Sequence, residues 1–322
     1  MKPWLKAAIS VALLAALLFF LPWSQVREAL GRLPPRVWLG VLAGFVLGHT
    51  VGIFKWRLFV NAARAGLGRL DATLCYSAGL FANLCLPSIV GGDLLRIALA
   101  GRITRRPEAA LWGGVMDRIT DLLALALLVT VGGLLAQSRL EGWLGQALTV
   151  ALLAGLGFAA LLLPLLYRRP LHRWPRRLRR PVGRGLVGLR RLWRTPRIAA
   201  IGLGLSLGIQ SSFVLLNAWL GSSVGIEVDL AVWFLVWPLA KIASLLPISL
   251  GGLAVREASL AALLLPFGVP AAQSVVCSLL WQTVLIAGGL LGGLIWLLLQ
   301  RTRHPSDRSV NGRLTVTPLR GE

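Results

Sequence analysis

The stretch LPSIVGGDLLR at 86–96 returns in altered form as LPISLGGLAVR at 246–256, each reading Leu-Pro-x3-Gly-Gly-x3-Arg. Proline, paired glycines and arginine are poor material for an apolar segment, yet both copies lie between apolar runs. Pro87 and Pro247 lack an N–H and clash with a preceding helical turn, so each is expected to end a helix. Gly91-Gly92 and Gly251-Gly252 are expected to supply backbone angles closed to other residues, leaving amides open where a second helix starts. Such a helix start attracts anions. Arg96 and Arg256 follow about one turn later, and a planar guanidinium can hold two oxygens of a phosphate at once. Each phrase therefore reads as a receiver for an anionic group, with Asp93 and Glu257 as partners for the arginines or for a cationic group. The competing reading is a tight turn whose arginine only neutralises the adjacent acid.

A second constellation is Asp117-Arg118-x2-Asp121 in LWGGVMDRITDLLALALL. Asp117 and Asp121 share a helix face at i, i+4, and Arg118 can pair with Asp121 at i, i+3. Lys241, three residues after Pro238, is a further charge in an apolar setting. His49, Asn83, Gln210 and Asn217 read as interhelical hydrogen-bond partners and receive no role in the chemistry. No nucleophile–base pair and no metal-ligand set stands out, so neither a catalytic residue, a metal nor a cofactor is expected. Cys75, Cys85 and Cys277 fall in apolar segments, in odd number and without zinc spacing, and read as packing residues.

The elements that must hold these groups are membrane spans. Of 322 residues, 56% are hydrophobic and 14% charged, with mean hydropathy +0.74; a soluble domain carries about a quarter charged residues. Apolar runs near 4–23, 37–54, 109–136, 143–167, 198–220 and 271–299 predict six crossings, with Trp4, Trp23, Trp38, Trp143, Tyr167 and Trp296 marking their ends. The charged start and apolar core at 4–23 resemble a signal peptide, but without a clear cleavage site they read as an uncleaved first span. Asp117 would then lie about 12 Å into the third crossing, where an unpaired charge costs at least about 2.5–3.5 kcal/mol. Asp117, Arg118 and Asp121 should accordingly face protein or a wet cavity.

A net charge of +22 would suggest nucleic acid in a soluble protein, but here Lys and Arg collect between the spans. The segment 168–197 holds twelve Arg and no acid; it reads as a cytoplasmic loop touching anionic lipid, not as a nucleic-acid site. Basic loops at 55–69, 96–106 and 168–197, with the tail from 301, are assigned to the cytoplasm. With both termini inside, regions 73–103 and 230–267 must each enter and return on one side, and on opposite sides from each other. The expected fold is thus all-α and polytopic, six crossings plus two re-entrant helical hairpins in an inverted repeat, an architecture recurrent among membrane transport proteins. Residues 1–300 form one membrane domain and 301–322 a short, disordered basic tail.

The series Trp56-Arg57, Asn83-x3-Pro87-x3-Gly91-Gly92-Asp93-x2-Arg96, Asp117-Arg118 and Pro247-x3-Gly251-Gly252-x3-Arg256-Glu257 resembles the lysylphosphatidylglycerol synthase transmembrane-region family, also called flippase-like domain proteins. The resemblance runs from about 5 to 300, with Lys-Trp-Arg at 55–57 where Arg-Trp is expected. In the multiple peptide resistance factor, a similar membrane domain is joined to a cytosolic aminoacyl-transferase domain; that domain is expected to be absent here. The resemblance implies an inner-membrane lipid translocase whose partners are anionic membrane lipids, with the head group held between the two hairpins. The head-group site expected from the residue chemistry together with this resemblance comprises Pro87, Gly91, Gly92, Asp93, Arg96, Asp117, Arg118, Asp121, Lys241, Pro247, Gly251, Gly252, Arg256 and Glu257. Two alternatives stay open: a glycosyl- or lipid-transferase using Asp93, Asp117 and Glu257, or a non-transporting partner of an envelope-lipid enzyme, docking through the Arg-rich loop.

Overall fold

The computed structural model describes residues 34–85, 91–136, 196–244 and 255–302, and every element among them is helical. The order is long, short, short, long, twice over. In the first set α1 is Pro35–Ala62, α2 Arg69–Cys85, α3 Gly91–Thr104 and α4 Pro107–Leu135. In the second, α5 is Pro196–Ser223, α6 Leu230–Ser244 and α7 Val255–Leu264, continued by a 3-10 turn at Leu265–Phe267, and α8 is Ala271–Thr302. The four long helices are apolar enough to cross a membrane, matching four of the six expected crossings. The runs 4–23 and 143–167, the hairpin tips with Pro87, Pro247, Gly251 and Gly252, most of the 168–197 loop and the tail beyond Thr302 lie outside the described residues.

The inverted relation is readable in the packing. Gly40 lies under Trp219, Gly44 under Leu216 and Gly48 under Phe213, while Gly202 lies under the Phe59 ring. Residue numbers on α1 rise as those on α5 fall, so these equivalent helices run antiparallel. A two-fold axis relating them must lie across the helices, in the plane of a membrane that they span. The same symmetry sets the other contacts: α2 packs on α8 and α6 packs on α4, so each hairpin leans on the last helix of the other set.

Each hairpin opens at one end only. Arg106 Nη1 donates to the Arg64 carbonyl at 2.6 Å, joining the α1–α2 turn to the α3–α4 turn. At the opposite end of the α1/α5 pair, Ile226 after α5 and Val269 before α8 belong to one buried cluster. First arms of 17 and 15 residues reach about 22–25 Å. That passes the middle of an apolar layer about 30 Å thick without crossing it.

Three local expectations need correction. The loop expected to begin at Lys55 begins only after Ala62, because Phe59 and Val60 continue the apolar face and are buried. Arg96, assigned to the 96–106 loop, lies inside α3. Gly91 and Gly92 are not left-handed; among described glycines positive φ occurs at Gly66, Gly225 and Gly268. Gly92 is needed for close approach instead, since a methyl there would overlap the Gly79 carbonyl oxygen and the Asn83 side chain.

Two measurements check this architecture. In a protein lacking Cys75, Cys85 and Cys277, an impermeant maleimide should label Arg105→Cys and Glu227→Cys from opposite membrane faces; labelling of both from one face would dismantle the inverted repeat. A methyl at Gly132 would lie 2.5 Å from the Leu235 nitrogen and the Phe234 carbonyl carbon, whereas Gly208 has open space. Gly132→Ala should lower the thermal midpoint in detergent, a loss of about 1–3 kcal/mol, while Gly208→Ala should hold or raise it.

Candidate functional site

Where α1 crosses α5, side chains from α1 to α6 line a cavity of about 120 Å³. That is well above the roughly 10–15 Å³ needed for a single water, so it has room for several. Gly52 makes room on α1, since a methyl there would lie 2.6 Å from the Tyr76 hydroxyl. Gly79 and Gly92 bring the two arms of the first hairpin backbone to backbone. The Gly92 amide donates to Asn83 Oδ1 at 3.0 Å, so this helix-start donor is already taken by the protein.

The charged groups form one chain of alternating sign. Arg118 donates through Nε and Nη2 to Asp93 Oδ2. Asp93 Oδ1 lies 2.9 Å from Arg96 Nη2, which donates to Asp117 Oδ2 at 2.8 Å. Asp117 Oδ1 sits 3.0 Å from Lys55 Nζ, an ion contact without hydrogen-bond alignment. Lys55 also donates to Asp121 and to Ser206 Oγ, and Ser206 donates to Asp121 at 3.0 Å. Lys55, Arg96 and Asp117 are 2%, 5% and 3% exposed, so each ion has exchanged water for its neighbours. Removing one partner from such a buried set costs about 3–5 kcal/mol. The Arg96 guanidinium also lies 4.9 Å from the Tyr76 ring centroid and 5.2 Å from that of Trp56. Two aromatic faces thus replace part of its hydration.

Lys241 stands apart. Its Nζ donates to Gln210 Oε1 at 2.7 Å and lies 5.2 Å from the Phe213 ring centroid, and among the described residues no carboxylate is within ion-pair distance of it. The hairpin tips 86–90 and 245–254 contain no Asp or Glu. Among the described residues, the cavity is lined by four cations, Lys55, Arg96, Arg118 and Lys241, against three carboxylates, Asp93, Asp117 and Asp121. The surplus positive charge sits at Lys241.

Of the expected site residues, the structure brings Asp93, Arg96, Asp117, Arg118, Asp121 and Lys241 together at this cavity. Gly92 stands behind them. Arg118 pairs with Asp93 on α3, not with Asp121 as helix spacing suggested, because Asp121 is held by Lys55 and Ser206. Arg256 and Glu257 form a separate buried cluster between α7 and α8. There Arg256 donates to Glu257 Oε1 at 2.7 Å, to Ser278 Oγ at 3.1 Å and to Gln282 Oε1 at 3.0 Å. Sequence reasoning missed Lys55, Tyr76, His49 and Gln210, all of which line the cavity. His49 Nδ1 lies 3.1 Å from the Tyr76 hydroxyl. The available signal for Lys55 was the apolar run after it, Leu58-Phe59-Val60, which keeps helical periodicity past the charge.

Lys55→Met should therefore destabilise the folded protein by about 3–5 kcal/mol, and adding Asp121→Asn should recover part of the loss in a double-mutant cycle. Thermal unfolding in detergent measures both; a lysine in a surface loop would give almost no change.

The model of the family described as Lysylphosphatidylglycerol synthase TM region matches residues 4–293 of the chain. No curated protein and no solved structure matches it.

Proposed function

The chain belongs to the lysylphosphatidylglycerol synthase TM region family, and from that membership and the cavity we propose a translocase of the cell membrane that holds the anionic head group of a phospholipid. The observation that carries this reading is the surplus charge at Lys241. A half-buried ammonium facing only an amide oxygen and a ring gains from an anion that joins it. A phosphate diester carries one negative charge and oxygens suited to such donors. Arg118, whose side chain is 40% exposed, is the second cation placed to meet it. Arg96 Nε is a buried donor without a protein acceptor among the described residues. Arg96 itself, locked between Asp93 and Asp117, sets the field rather than moving to the ligand.

The surroundings support a path to either leaflet. The hairpins open at opposite ends of the α1/α5 pair, and the cavity lies between them. Asp117 is about 15 Å along α4 from Pro107, half the apolar thickness. Arg64, Arg69, Arg102, Arg105, Arg106, Arg197 and Arg301 cluster at the open end of the first hairpin, with Asp71 and Glu108 as acids. Among the described residues, the other end carries Arg36 with Glu227 and Asp229. That asymmetry supports a cytoplasmic location for the first end by the positive-inside rule. Asp93, Asp117 and Glu257, the acids of a transferase reading, are each held by Arg or Lys, which favours an electrostatic role for them over proton transfer.

In proteoliposomes, the protein should speed movement of a labelled phosphatidylglycerol-type lipid between leaflets. Lys241→Ala should slow it about 10–100-fold, the equivalent of one charge-assisted hydrogen bond of about 1.5–3 kcal/mol, with the fold intact. An unchanged rate would remove Lys241 from the site. Release of entrapped inorganic phosphate without lipid movement would mean that the anion is a soluble one.

A further inference from the structure

The charge pattern of the cavity bears on what drives transport, a question resting on the translocase reading above. Asp93 is held by Arg96 and Arg118, Asp117 by Arg96 and Lys55, and Asp121 by Lys55 with Ser206. Each described carboxylate of the cavity that could carry a proton or a metal cation alongside the substrate thus already faces a protein cation. The charged groups come from α1, α3 and α4, and Ser206 from α5. Among the described residues, the other titratable groups in the wall are His49 on α1 beside Tyr76 on α2, and Lys241 on α6, bonded to Gln210. One positive charge is left over, and one negative charge neutralises the cavity.

We infer that the protein moves a singly anionic head group without a co-transported cation, so that transport is electrogenic and an inside-negative membrane potential drives the lipid toward the outer leaflet. The carboxylates stay paired through the cycle, because protonating one would strand a buried Lys or Arg without its counter-charge. The ion pairs bind no second substrate, and the net charge crossing per turnover is the head group's own. Occupied and empty states differ by that single charge, held at Lys241. A singly charged species free to cross responds fully to the potential, with no nucleotide hydrolysis in the step. Which way the protein faces in a vesicle does not alter the final distribution, since a passive carrier sets only the rate.

The test uses the full chain in liposomes with a trace of labelled phosphatidylglycerol-type lipid and a potassium gradient clamped by valinomycin. The steady-state outer-to-inner ratio of label should shift about tenfold for each tenfold potassium ratio, toward the outer leaflet when the interior is negative, and should reverse with the gradient. Movement that ignores the potential would overturn the inference while leaving translocation standing. Movement that follows an imposed pH gradient at zero potential would overturn it in favour of a co-transported proton. Absence of any protein-dependent movement at either polarity would sink the translocase reading and this inference with it.

Discussion

Ions buried inside a membrane protein must be neutralised by one another, because neither water nor lipid is there to do it. In this chain that constraint produces the run Arg118, Asp93, Arg96, Asp117, Lys55, Asp121, which links α1, α3 and α4 and reaches α5 through Ser206. Each member is tolerable only while its neighbours hold position. The first hairpin and the long helices around it are thereby fixed to one geometry. Packing glycines contribute the other half, letting α1 sit against α5, and α2 against α3, at distances that side chains would forbid.

The two halves share architecture but not chemistry. Antiparallel α1 and α5, and hairpins leaning on opposite partners, give the molecule its two-fold form. Yet α3 meets Asp117 on α4, where α7 meets Ser278 and Gln282 on α8. Carboxylates in the first half leave a charged, wet cavity. In the second half, Arg256 is satisfied by its neighbour Glu257 and two neutral side chains. A symmetric frame thus carries an asymmetric field, and among the described residues of the cavity the unbalanced cation, Lys241, belongs to α6.

Much of this was legible beforehand, for physical reasons. Apolar run lengths gave the long helices, and the placement of Arg between them gave two segments that must turn back from opposite sides. Deep charges had to meet something, and Asp93, Arg96, Asp117, Arg118, Asp121 and Lys241 line one cavity, while Arg256 and Glu257 lie apart from it. Lys55 escaped because a charge at the end of an apolar run looks like the start of a loop. The Gly-Gly pair was misread because a glycine needed for left-handed backbone and one needed for close approach look the same in a string of letters.

The sequence by itself determined the four long apolar helices and the supply of charges, since these follow from hydropathy and from the cost of ions in an apolar layer. Only the tertiary structure decided which charge answers which. Lys55 and Asp121 are 66 positions apart, and their pairing rests on the crossing of α1, α4 and α5. That crossing removed Asp121 from Arg118, gave Asp93 to Arg118 instead, kept Arg256 out of the cavity and left Lys241 without a counter-charge there. Pairing depends on distance and burial, and neither exists until the helices have packed.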